Sequence, residues 1–127
     1  MLLLDTQAII WFAQDNAEFG KRARKEIQEA TTLCYSTASV LEMQIKRMLG
    51  KLKVSEAFVS GLADYGFHEL AMTTSDAAGI GEFKSLVKHD PFDRVILSTA
   101  VGRGIKLLTA DSVMLSLGIN NVIDARK

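Results

Sequence analysis

Cysteine, proline and histidine are scarce in these 127 residues, and each scarcity narrows what the chain can be. The lone Cys34 rules out an internal disulfide and offers no CxxC pair for a metal, so a reducing cytoplasm is the expected setting. Cys34 lies in an apolar run and reads as a small buried hydrophobe. A single proline, Pro91, and the lack of low-complexity tracts leave no linker, and the length suits one domain over residues 1–127. No apolar stretch approaches the ~20 residues of a membrane span. The N-terminus lacks the basic region and cleavage site of a secretory leader, so no membrane partner is expected. Neither sign of charge is in excess, since 15 Lys and Arg balance 15 Asp and Glu. A strong non-specific nucleic-acid binder would be basic, which excludes that class while leaving room for a site where a metal supplies the positive charge. A Gly-rich phosphate loop, a GxSxG elbow and an HExxH pair are all missing.

What is present begins at the N-terminus. Met1-Leu2-Leu3-Leu4 is apolar without alternation, the pattern of a strand buried on both faces of a parallel sheet, and it stops at Asp5. Ligands of open α/β sheets bind at the carboxyl ends of the strands, which makes Asp5 a candidate site residue. It is equally suited to cap the helix that follows. That helix is apolar at every position from Ala8 to Ala13, including Trp11 and Phe12, which predicts that part of it faces another chain; a short helix wholly inside the core is the alternative.

Further strands are predicted at 33–35, 67–72, 105–108 and 121–123. Between them lie amphipathic helices at 16–29, 37–49, 55–65 and 75–83, a strong helix from Pro91 to about Gly102, and a short one at 112–117. The 37–49 helix carries Val40, Leu41, Ile45, Met48 and Leu49 as its apolar side and stops at Gly50. Asp90 with Pro91 reads as a cap and first helical position. Strands alternating with helices imply an α/β fold, a three-layer parallel sheet with helices on both faces.

Four acids fall at one end of such a sheet: Asp5 after the first strand, Glu42 in the helix after the second, Asp93 at the start of the late helix, and Asp111 after the fourth strand. Each has a local alternative. Glu42 can pair with Lys46 one turn on or cap with Ser39, Asp93 can cap with Asp90, and Asp111 can cap the short helix after it. Collected together they are costly, because two carboxylates about 5 Å apart repel by roughly 3 kcal/mol at an effective dielectric near 20. A fold that gathers them is expected to bind a cation. His89 and His68 read as local structure, and an oxygen-only donor set favours Mg²⁺, with Mn²⁺ possible, over zinc. Such ions activate water and stabilise charge on a phosphodiester.

These residues, in order, resemble the PIN-domain ribonucleases, and within them the VapC-like toxins of bacterial type II toxin-antitoxin pairs. The resemblance runs through Leu3-Leu4-Asp5-Thr6 to Trp11, Ser36 through Glu42 and Lys46 to Gly50-Lys51-Leu52, Gly66-Phe67, His89-Asp90-Pro91-Phe92-Asp93-Arg94 and Leu108-Thr109-Ala110-Asp111. It implies a PIN-like fold whose metal-binding, catalytic acids are Asp5, Glu42, Asp93 and Asp111. It also implies an Mg²⁺-dependent endoribonuclease that hydrolyses RNA with metal-activated water, a homodimer, and an inhibitory antitoxin lying across the acidic groove. Gln7 and Asp76 stand where histidines often occur in this subgroup, so RNA recognition is expected to differ. Lys46, which shares a face with Glu42, and Arg94 are the leading candidates for RNA phosphates, beside Arg47, Lys51 and Lys53; a merely solvated helix face is the alternative. Two other functions compete: a catalytically silent PIN-like binding module, and a receiver-type signalling domain, which would need a strand ending in Asp near residues 50–60, where none is seen.

Overall fold

Leu2, Leu3 and Leu4 form β1, and all three are almost fully buried. Side chains alternate across a strand, so burying all three requires cover on both faces of the sheet. The computed structural model, which describes residues 1–127, provides it. Leu2 and Leu4 pack with Ile9, Phe19, Met43, Phe58 and Leu108 on one face, while Leu3 packs with Cys34, Ile96, Leu97, Leu107 and Met114 on the other. The result is a three-layer α/β fold.

The elements run β1 (Leu2–Leu4), α1 (Thr6–Ala13), α2 (Lys21–Glu29), β2 (Leu33–Ser36), α3 (Thr37–Met48), α4 (Glu56–Ser60), β3 (His68–Leu70), α5 (Thr74–Ala78), α6 (Pro91–Arg103), β4 (Lys106–Thr109), α7 (Ser112–Leu115) and β5 (Val122–Asp124). Three 3₁₀ turns, at Leu62–Tyr65, Gly79–Glu82 and Lys84–Leu86, fill the connections. All strand pairs are parallel, in the order β3-β2-β1-β4-β5. The chain therefore builds outward from β1 to β3, returns across the sheet, and builds outward again from β4. The reversal opens a crevice beyond the carboxyl ends of β1 and β4, where such sheets bind ligands. Leu4 is in register with Leu108, so Asp5 and Thr109 emerge side by side at that crevice.

Local chemistry sets the element ends. Ser36 caps α3 through its hydroxyl, and Asp90 caps α6 with Pro91 as first residue and left-handed Gly104 (φ 66°) as its stop. Three expected helices come out shorter, and the one predicted over 75–83 ends at Ala78 and gives way to a 3₁₀ turn. The helix predicted from Asn16 begins only at Lys21, because the Asn16 side chain accepts from the Glu18 amide in a turn and the backbone at Gly20 runs against Lys127, where a Cβ would lie 2.1 Å from a backbone carbon. The helix predicted over 55–65 breaks at Gly61 into α4 and a 3₁₀ turn.

The apolar helix α1 is partly covered by its own chain, with Trp11 and Phe12 half-buried and Ala13 exposed. Ala8, Ile9 and Ile10 are buried, Trp11 meets Phe19 edge-on with centroids 5.7 Å apart, and Phe12 meets Phe67 at 5.3 Å. Exposed apolar surface lies on α3, whose buried side holds Ala38, Ser39, Glu42 and Met43. Turning Ser39 and Glu42 inward leaves the predicted apolar side facing outward: Leu41 is 54% exposed and Met48 75%, with Ile45 and Leu49 beside them. Asp76 is buried away from the crevice, where it forms a capping box with Thr73 and an ion pair with Arg103 that holds its carboxyl below the usual range. No helix is long and apolar enough to cross a membrane.

Truncating the doubly covered central strand tests this architecture. Leu3→Ala is expected to lower unfolding stability by about 2–5 kcal/mol, read as a shift in the urea midpoint at unchanged slope.

Candidate active site

Three of the four acids at the crevice owe their position to a strand end or a helix start, and Glu42 owes its place to the buried side of α3. Asp5 follows β1, where its Oδ1 accepts from the Ala8 amide at 2.8 Å and caps α1, while its Oδ2 accepts from the Thr109 hydroxyl across the crevice. Asp111 follows β4. Its Oδ1 accepts from the amides of Val113 and Met114 and caps α7, leaving Oδ2 directed at His89. Asp93 projects from the first turn of α6, below the cap that Asp90 makes with the Phe92 amide. Glu42 comes from the buried side of α3, with Oε1 accepting from Thr6 and Oε2 from Lys46 at 2.6 Å. Asp5 and Asp111 each make the cap while also lining the crevice, and for Glu42 the pairing with Lys46 is present. The cap suggested for Glu42 with Ser39 is absent, since α3 starts earlier and the Ser39 hydroxyl donates to Thr6, whose own proton goes to Glu42.

All four acids line one cleft of about 320 Å³, together with Thr6, Gln7, Lys46 and Lys51. Burial pushes the Asp5 carboxyl up to about 6, against the hydrogen bonds from Thr109 and Ala8 that favour its ionised form, with Asp111 and Glu42 adding repulsion. Asp93 is pushed up to about 8, first by burial and then by the charges of Glu42, Asp5, Asp90 and Asp111. Lys46 is held above its usual value chiefly by its hydrogen bond to Glu42. The crowding of carboxylates thus raises the proton affinity of the metal-free crevice, most strongly at Asp93.

His89 was expected to serve local structure, and the structure places it in the cluster. Its Nε2 lies 3.0 Å from Asp111 Oδ2 and 3.4 Å from Asp93 Oδ2. The donor set is therefore not oxygen-only. The signal was the four-residue spacing to Asp93 just outside the Asp90 cap. Arg94 is not brought to the cleft, and its Nε is buried without a hydrogen-bond partner. Arg47 is engaged by Glu56 and the Val54 carbonyl, whereas Lys51 joins Lys46 on the cleft lining. Several carboxylates and an imidazole converging on a half-buried crevice are a donor set that fits a divalent cation.

Comparison with known proteins bears on the fold and the family. The PIN domain family model matches residues 2–119. Ribonuclease VapC22 of Mycobacterium tuberculosis is 26% identical over 112 residues, which span 87% of this chain and 86% of that protein. Among solved structures, a toxin-antitoxin complex from Klebsiella pneumoniae is similar with a TM-score of 0.66 at 20% identity, over 98% of both chains. VapBC-1 from nontypeable Haemophilus influenzae is similar with a TM-score of 0.67 at 20% identity, over 99% of this chain and 98% of that one. FitAcB from Neisseria gonorrhoeae has a TM-score of 0.63 at 18% identity, over 98% of both chains. With the family model matched along nearly all of its length, this chain belongs to the PIN domain family.

Proposed function

We propose that the chain is a divalent-metal-dependent endoribonuclease, the toxin of a toxin-antitoxin pair, held inactive by a cognate antitoxin and acting in the cytoplasm. The observation that carries this reading is the crowding of Asp5, Glu42, Asp93 and Asp111 around one cleft, where burial and then the neighbouring carboxylates push Asp93 well above the usual carboxylate range. The name of the matched ribonuclease and the toxin-antitoxin complexes among the structural neighbours support it. Asp5, Asp93 and Asp111 would hold the cation, Mg²⁺ or alternatively Mn²⁺, with Glu42 bordering it. Bound there, the ion lowers the pKa of water and stabilises charge developing on the phosphodiester.

The protein's own groups supply the rest. Lys46 and Lys51 offer ammonium groups to RNA phosphates along the cleft, and the Gln7 amide can donate to or accept from a base or ribose. Asp5 and Asp111 are fixed by the helix amides they cap, so the crevice keeps its shape without a ligand. The receiver alternative fails on topology, because that fold seats its first strand between the second and third, whereas here β1 lies between β2 and β4. A second copy of the chain is the proposed occupant of the outer flank of α3, where Leu41, Ile45, Met48 and Leu49 form one exposed apolar stripe.

Asp5→Asn is expected to abolish RNA cleavage by the purified protein while its circular dichroism and melting midpoint are retained, since Asn keeps an acceptor for the Ala8 amide; EDTA likewise stops the wild type. Undiminished cleavage in either case defeats the metal mechanism, and a well-folded wild type inert with every divalent ion leaves a silent binding module. Metal affinity, measured by calorimetry, rises from pH 6 to pH 8 as Asp5 and then Asp93 give up protons that compete with the ion. The same shift has the opposite sign for folding. With a folded value of about 8 against an unfolded value near 4, ionised Asp93 destabilises the metal-free fold progressively as pH climbs between them. Asp93→Asn is therefore expected to melt higher than wild type at pH 8 without metal and equally at pH 4. The combined change Leu41→Glu and Met48→Glu is expected to halve the mass seen by light scattering.

A further inference from the structure

We propose that His89 is a nitrogen ligand of the active-site cation, and that it biases the site toward a first-row transition ion over Mg²⁺. This rests on the cation reading given above and adds a donor to it. Adjacent ligands of an ion bound at about 2.1 Å stand about 3 Å apart in an octahedral shell. His89 Nε2 stands 3.0 Å from Asp111 Oδ2 and 3.4 Å from Asp93 Oδ2, and one donor atom from each of the three residues falls within 4.8 Å of the others. Those separations match neighbouring positions of one coordination shell. The backbone holds the ring in place, because the His89 amide donates to the Leu86 carbonyl at 2.9 Å, directly before the turn that caps α6. Asp111 is aimed by the same logic, with Oδ1 committed to α7 and Oδ2 left for the ring and the ion.

Glu42 strengthens the case by being occupied. One of its oxygens accepts from Thr6 and the other from Lys46, which leaves the imidazole better placed than the glutamate to complete the set with Asp93 and Asp111. Mg²⁺ takes oxygen donors at near-ideal octahedral geometry and gains little from imidazole, whereas Mn²⁺ and the ions after it in the first row bind nitrogen increasingly well. A single histidine in place of one oxygen therefore changes which metal the crevice prefers without changing the net carboxylate charge.

The test uses the full-length, metal-free protein with Mn²⁺ as the probe, read by electron paramagnetic resonance, and with Mg²⁺ as competitor. Wild type is expected to show ¹⁴N coupling from a directly bound nitrogen and to bind Mn²⁺ at least about tenfold more tightly than Mg²⁺. His89→Gln is expected to lose the nitrogen coupling and most of the Mn²⁺ preference while keeping its Mg²⁺ affinity; His89→Asn serves if the first variant folds poorly, and His68→Gln must leave the coupling intact. Absence of ¹⁴N coupling in wild type overturns the proposal. So does an equal loss of both metals in His89→Gln, which marks a residue that only orders carboxylates, or a gain of both, which marks one that only competes with the ion. If wild type binds neither metal, or Asp93→Asn binds Mn²⁺ as well as wild type, the cation site itself is wrong, and that failure is separate from the loss of His89 alone.

Discussion

Like charges gathered at one point must be held there, and in this protein the holding is done by backbone amides. Asp5 and Asp111 each commit an oxygen to the first turn of a helix, and Thr109 ties the other oxygen of Asp5 from the neighbouring strand. Neither carboxylate can swing out to water to relieve the repulsion. The strain appears as proton affinity instead, most strongly at Asp93, which none of these caps relieves. Helix capping, usually a device of stability, here presets the geometry of the crevice.

The position of that crevice follows from one short apolar run. Because β1 is leucine on both faces, it must lie inside the sheet with helices above and below, and a strand so placed ends where the chain doubles back toward β4. Asp5 stands at that end by necessity, and Thr109 and Asp111 arrive from the adjacent strand in register. The acid that opens α6 and the one on α3 are then brought in by packing of those helices against each other at the same end.

Much of this was legible in the residues. The unalternated Leu2–Leu4, the Asp90-Pro91 helix start and the recurrence of strand and helix were enough to read a parallel three-layer sheet and to expect four acids at one end. The sidedness of the helices was not. Periodicity marks an apolar stripe but not the direction it faces, and on α3 the need to seat Ser39 and Glu42 beside Thr6 turned the stripe outward. In α1, too, the pattern did not show the neighbours: Phe19 and Phe67 meet Trp11 and Phe12 edge-on and leave both half-buried. His89 read as local structure because its shortest contact is with Asp111, far along the chain, and the four-residue spacing to Asp93 alone did not single it out, and Arg94, adjacent to Asp93 in sequence, points along a different line because successive helical residues diverge by about 100°.

One helix serves two masters. The inner side of α3 carries Glu42 and Lys46 at the mouth of the cleft, and its outer side carries the bare leucines and methionine. A rigid rod cannot be gripped on one flank without its other flank being registered too. Whatever would settle against Leu41 and Met48 would therefore press on the same helix that carries Lys46 and Glu42 at the cleft.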